Sequence, residues 1–142
     1  MTMLKMTRPI VDIAITCSNF KESLRFYHEL LGFEIVMEVD TSDELAEAIG
    51  LAPRGFHQIR LKAGNTLIKL MDIESPPPPA NHGFDTGLGW FTILIENIAE
   101  TVNELKGKGV EFVSEPVDAP EAVVACVKAP DGILIEFVQL KK

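Results

Sequence analysis

The sequence predicts an α+β fold, two tandem βαβββ units forming a curved mixed sheet with the helices on its outer face. Three observations carry this. The order strand, helix, strand, hairpin runs twice along the 142 residues. Glycines stop both helices at matching places, Gly32 and Gly109. The strand-like runs alternate, with one side uniformly apolar and the other mixed. A chain of this length fits one domain able to bury its own core without disulfides or a structural metal. Residues 1–142 therefore read as a single domain: a first unit over 8–73, a Pro-rich linker over 74–87 and a second unit over 88–140.

Val11 to Thr16 is the first strand, closed by the polar break Ser18-Asn19. Phe20, Leu24, Tyr27 and Leu31 then recur at helical spacing up to Gly32, and Phe33 to Val39 is strand-like. Thr41 with Glu44 forms a capping box before Leu45, Ala48 and Ile49, which predicts a short helix present only in the first half, an edge cover or a lid. Phe56 to Lys62 and Thr66 to Met71 form a hairpin about Ala63-Gly64-Asn65. Pro76 to Pro79 cannot enter a sheet interior and marks the linker; with no flanking basic residue, it makes a poor SH3-type ligand. The second copy runs Trp90 to Ile95, a helix bearing Ile98, Val102 and Leu105, a strand Val110 to Val113, and a hairpin. That hairpin is Ala122 to Lys128 and Ile133 to Gln139 about Ala129-Pro130-Asp131-Gly132.

Thirteen basic against twenty-one acidic side chains give a net charge of −8. Nucleic-acid binders and proteins docked on anionic lipid carry a basic surplus or stripe, so neither partner is expected. No apolar run approaches the about 18 residues of a membrane span, and the N-terminus lacks the apolar segment of a secretory signal. Cys17 and Cys126 lie in apolar strand runs and read as buried reduced thiols, with no basic partner in view to activate either. The expected compartment is the cytoplasm.

Strand parity separates Ile13, Ile15 and Cys17 from Asp12, Ala14 and Thr16, and Ile68 and Leu70 from Leu67, Lys69 and Met71. It also separates Phe91, Ile93 and Ile95 from Trp90, Thr92 and Leu94, and Ile135 and Phe137 from Leu134, Glu136 and Val138. One face is apolar and must hold the helices. The other mixes apolar residues with Asp12, Lys69, Trp90 and Glu136, as a small-molecule cleft does. In the repeat Asp12 overlays Trp90 and Lys69 overlays Glu136, so a shared curved sheet brings the four toward one axis. If Gly64-Asn65 alone forms the hairpin tip, Arg60 sits across from Lys69.

Two segments give the chain a family likeness, Ser23-Leu24-Arg25-Phe26-Tyr27 with Leu31-Gly32-Phe33, and Ala129-Pro130-Asp131-Gly132 with Glu136 four residues on. Over roughly residues 10–140 it resembles the vicinal oxygen chelate superfamily of glyoxalase I, methylmalonyl-CoA epimerase, extradiol dioxygenases and bleomycin-resistance proteins. The resemblance implies a homodimer and a divalent metal on the concave face, held by His, Glu or Gln from four strands. Those four positions are Asp12, Lys69, Trp90 and Glu136, and only Glu136 keeps the expected type. Lysine ammonium and indole N–H are donors without a lone pair. No cofactor is therefore expected, and Asp12 and Glu136 would serve only an atypical metal site. His28, read as solvent-facing in the first helix, His57, on the other face, and His82, in the linker, do not complete one.

The expectation is that the Lys69 ammonium replaces the cation between Asp12 and Glu136, so that its removal costs a few kcal/mol. A structural pair in a dead site is the plain alternative. The resemblance then implies a metal-independent or atypical lyase or isomerase acting beside a carbonyl. Asp12, Lys69 and Glu136 are its catalytic candidates, and Trp90, Arg60, Thr92, Met71 and Phe56 its substrate contacts. The alternative is a protein that sequesters a drug or metabolite without catalysis; a metal-dependent glyoxalase or dioxygenase with unusual ligands comes third. Either way the partner is a small molecule.

Overall fold

The computed structural model describes residues 4–80 and 85–142; His82 and part of the predicted linker lie outside them. The chain divides into two units, Met1–Pro77 and Pro78–Lys142. Each is built on a four-stranded mixed sheet, ordered β1-β4-β3-β2 in the first and β5-β8-β7-β6 in the second.

In the first unit β1 (Ile13–Thr16) runs parallel to β4 (Thr66–Asp72), and β3 (Phe56–Ala63) pairs antiparallel with both β4 and β2 (Glu34–Thr41). α1 (Phe20–Leu24) starts at Asn19, whose side chain accepts the Glu22 N–H, and packs on β4. It continues as a π-helical segment (Arg25–Leu30), with Leu31 N–H donating to Phe26 O at 2.9 Å. In a regular α-helix neighbouring residues point about 100° apart. The wider turn lets both Phe26 and Tyr27 bury, meeting edge to face with centroids 5.0 Å apart. Ser23, Phe26 and Tyr27 are therefore the buried residues, and Phe20, Leu24 and Leu31 are only half-buried, unlike the face expected from regular spacing. His28 is not solvent-facing: it is half-buried, and its Nδ1–H donates to Phe33 O at 2.7 Å.

β2 runs through Thr41, so the cap of α2 (Asp43–Ala48) moves one residue along. Ser42, not Thr41, accepts the Leu45 N–H. Gly55 N–H donates to Asp43 Oδ1 at 2.6 Å and fixes the start of α2 against the strand that follows.

In the second unit β5 (Trp90–Leu94) runs parallel to β8 (Leu134–Leu140), and β7 (Ala122–Lys128) pairs antiparallel with it. α3 (Ile98–Gly107), capped by Asn97, buries Ile98, Val102 and Leu105 against β7 and β8. Val110 to Val113 does not form the predicted strand. Phe112 makes one isolated bridge to Val127, and the edge is instead β6 (Val117–Asp118). Exposed Glu111 and Val113 flank Phe112, so little burial rewards a longer pairing there.

In both units the buried face is the one parity assigns: Ile15, Cys17, Leu61, Ile68 and Leu70 in the first, Phe91, Val127, Ile135 and Phe137 in the second. His57 lies on the Ile59 and Leu61 side of β3, as expected. Its Nδ1 and Nε2 lie 2.7 Å from Asp40 Oδ1 and 3.0 Å from Glu38 Oε1, with Asp72 opposite it in register. Both nitrogens donate only in the imidazolium, and these carboxylate bonds hold its pKa above the usual histidine value. The folded protein therefore keeps this proton more tightly than the unfolded chain. The stabilisation is fully present below about pH 6.5 and is lost as pH rises through the folded value. Urea midpoints measured across that range should fall with rising pH, and His57→Gln should flatten the fall. Parallel curves for the two proteins would reject the tie.

Candidate functional site

The chemical side chains collect on the mixed face of each sheet, the side opposite Ile15, Leu70, Phe91 and Ile135. In the first unit, Ala63 pairs with Thr66, so the hairpin tip is the two-residue loop Gly64-Asn65 and Arg60 lies directly across from Lys69. Asp12 stands just before β1. Its Oδ1 accepts the Leu67 N–H at 3.2 Å, and its Oδ2 lies 3.7 Å from Lys69 Nζ. Arg60 Nε–H donates to Gln58 Oε1 at 2.8 Å, and Arg60 Nη1 lies 3.6 Å from Met37 Sδ. Two cations thus stand side by side in a chain of net charge −8, and Asp12 is the carboxylate within ion-pair distance of Lys69 among the described residues.

The Asp12 and Lys69 side chains are 37% and 25% exposed. Water reaches both, so the pair is worth under about 1 kcal/mol to folding. That is less than the few kcal/mol a fully buried pair would imply.

Phe56 and Met71 are buried to 7% and 8% exposure and cluster with Ala46 of α2, Ile73 and Ala52. Phe56 therefore anchors α2 over one end of the open face rather than presenting its ring to solvent. Met71 is both packed and a lining residue of a cavity of about 340 Å³ beside it. Gln58, 9% exposed, is a site residue that sequence reading passed over. Its two-residue offset from Arg60 was the available signal.

In the second unit, Thr92 lies opposite Glu136 on β8, and Trp90 opposite Leu134. Trp90 Nε1–H donates to Thr92 Oγ1 at 3.1 Å, and the Thr92 hydroxyl donates to Glu136 Oε1 at 2.8 Å. The chain of donors orients the carboxylate, while Trp90 keeps 54% of its surface exposed. Cys126 pairs in register with Glu136 and so shares this face. It is half-buried, not the core thiol expected of an apolar run. Partial burial, and then the Glu136 charge, push its pKa up, so it stays a thiol and is a poor nucleophile. Arg60 and Cys126 occupy equivalent places in the two hairpins, each across from its unit's charged β8- or β4-strand residue.

The four positions where the resemblance implies metal ligands do not fit a divalent ion. Lys69 offers an ammonium, Trp90 an indole N–H already donated to Thr92, and Asp12 is engaged by Leu67 and Lys69. Among the described residues no three His, Cys, Asp or Glu side chains gather to hold a metal.

The family model described as the Glyoxalase/Bleomycin resistance protein/Dioxygenase superfamily matches residues 10–137. A probable chloroplastic lactoylglutathione lyase of Arabidopsis thaliana is 24% identical over 136 residues, 93% of this chain. The chain spans only 36% of that relative's length. Among solved structures, a glyoxalase family protein from Bacillus cereus superposes with a TM-score of 0.79 at 21% identity, covering 99% of this chain and 100% of that one. An antibiotic binding protein from a Streptomyces species gives a TM-score of 0.66 at 18% identity, with 99% and 100% coverage. At these identities the structural likenesses show the fold.

Proposed function

The chain belongs to the glyoxalase/bleomycin resistance protein/dioxygenase superfamily, and we propose that within it this protein binds a small anionic ligand on an open sheet face without a divalent metal. The register of Arg60 against Lys69 carries this reading. Adjacent cations, one an ammonium and one a planar guanidinium, suit a carboxylate, phosphate or enolate oxygen. Asp12 holds Lys69 from one side and leaves the ammonium donors to spare, since lysine has three. The antibiotic binding neighbour and the lactoylglutathione lyase relatives are both consistent with a small-molecule ligand.

A second reading, catalysis beside a carbonyl, rests on Glu136. A half-buried carboxylate oriented by the Trp90–Thr92 donors is placed to take or return a proton on the second unit's face. Binding and turnover are separable. Trp90 is the single tryptophan of the chain, so its emission reports occupation of that face. A panel of aromatic carboxylates, phosphate esters and conjugated ketones should contain compounds that quench it. For any compound that is also converted, Glu136→Gln should abolish turnover and leave the quenching in place. Binding heat that is lost in Lys69→Met, with no compound converted, would leave sequestration as the function. A panel that neither shifts Trp90 emission nor gives binding heat would reject both readings.

A further inference from the structure

We propose that the ligand is amphipathic: its acidic group sits at Lys69 and Arg60, and its apolar body enters the cavity beside Met71. This rests on the reading of Lys69 and Arg60 given above and adds the chemistry of the rest of the molecule.

The cavity, about 340 Å³, falls within the usual size of small-molecule pockets. It is built entirely from the first unit. Leu51, Ala52, Pro53, Ile73 and Pro77 give it apolar walls, Met71 a polarisable one, and Thr16 a hydroxyl at its rim. Its position on the open face follows from the register. Thr16 pairs with Met71, Met71 with Gln58, and Lys69 with Arg60, so the cavity wall and the cation pair are successive same-face positions of β4. Two residue steps along the strand separate them by about 7 Å, the length of a short hydrocarbon chain. Gln58 stands beside Met71 at the cavity end and accepts the Arg60 Nε–H, which links the two ends.

The far wall is fixed. Arg54 Nε–H donates to Glu74 O at 2.8 Å and its Nη2–H to Ser75 O at 2.9 Å. Ser75 adopts a left-handed conformation, φ 52°, which a non-glycine residue rarely takes without support. Arg54 thus spends its charge on backbone carbonyls, tying the segment leading into the prolines across the cavity. The pocket keeps its apolar character although an arginine lines it, and it is preformed, which lowers the cost of binding.

The probes are octanoate, octanol and acetate, titrated calorimetrically into the intact chain near neutral pH. Octanoate should bind roughly tenfold or more tightly than either octanol, which lacks the charge, or acetate, which lacks the body. Thr16 is exposed and in a strand, so Thr16→Phe should fold and partly fill the cavity. It should weaken octanoate and leave acetate unchanged. Arg54→Ala, which frees the strap, should weaken octanoate as well. Octanoate binding no more tightly than acetate, with both still dependent on Lys69, would overturn the cavity and leave the anion site standing. Octanol binding as tightly as octanoate would overturn the anion site itself. No binding of any probe would overturn both.

Discussion

Replacing Lys69 with methionine should weaken binding of an anionic ligand by roughly 10- to 100-fold, the worth of a charge-assisted hydrogen bond. The unfolding free energy should change by less than about 1 kcal/mol. The asymmetry comes from exposure. Asp12, left behind, is 37% exposed and still accepts the Leu67 N–H, so losing its cation does not strand a dry charge. The bound ligand would lose its point cation and keep only Arg60, whose Nε is committed to Gln58. Lys69→Arg should recover part of the affinity, because charge is restored while the compact ammonium geometry is not. Calorimetry with octanoate and a urea titration on the same preparations check the two halves. Unchanged affinity in Lys69→Met would remove Lys69 from the site. A loss of several kcal/mol in stability with no effect on binding would make the Asp12 pair structural.

The open and buried faces were legible because parity on a strand is rigid: once Ile15 and Leu70 are inside, Asp12 and Lys69 must be outside. The hairpin register depended on one loop length, and Gly64-Asn65, a pair suited to a tight turn, supplied it. What stayed hidden was decided by tertiary packing. Cys126 sits in the run Ala-Val-Val-Ala-Cys-Val, which is apolar on both sides, so nothing local assigns it to the Glu136 face. Phe56 and Met71 lie on the mixed face by parity, but α2 covers them, and which residues a short helix covers is not a periodic signal. The π-helical turn at Arg25–Leu30 was equally silent. The sequence spacing fits a regular helix, and burial of both Phe26 and Tyr27 selects the wider one. The Pro-rich strap showed its stiffness but not the arginine, twenty residues earlier, that holds it.

The second large effect is expected at Gly132, in the turn that delivers β8 and with it Glu136. Gly132→Ala should destabilise the protein by about 2–5 kcal/mol, adding left-handed backbone strain to overpacking. Gly132 has φ +96°, and a Cβ there would meet Ala80 O at 2.2 Å. Neither neighbour can retreat freely. Ala80 N–H donates to Asp131 O at 3.1 Å, Ile133 N–H to Asp131 Oδ1 at 3.2 Å, and Ala129 N–H to Ile133 O at 2.8 Å. The turn is therefore a small network closed over Ala80, and Asp131 is 4% exposed within it. Gly64 is the internal comparison. Its φ is +62°, but a Cβ there meets nothing within 4 Å, so Gly64→Ala should cost only the backbone strain of about 1–2 kcal/mol. Urea titrations of the two variants separate the terms. Equal losses would mean that the Ala80 approach contributes nothing. A larger loss at Gly132, with weakened Trp90 quenching in the folded fraction, would show that the turn both holds the second unit together and sets Glu136 on its face.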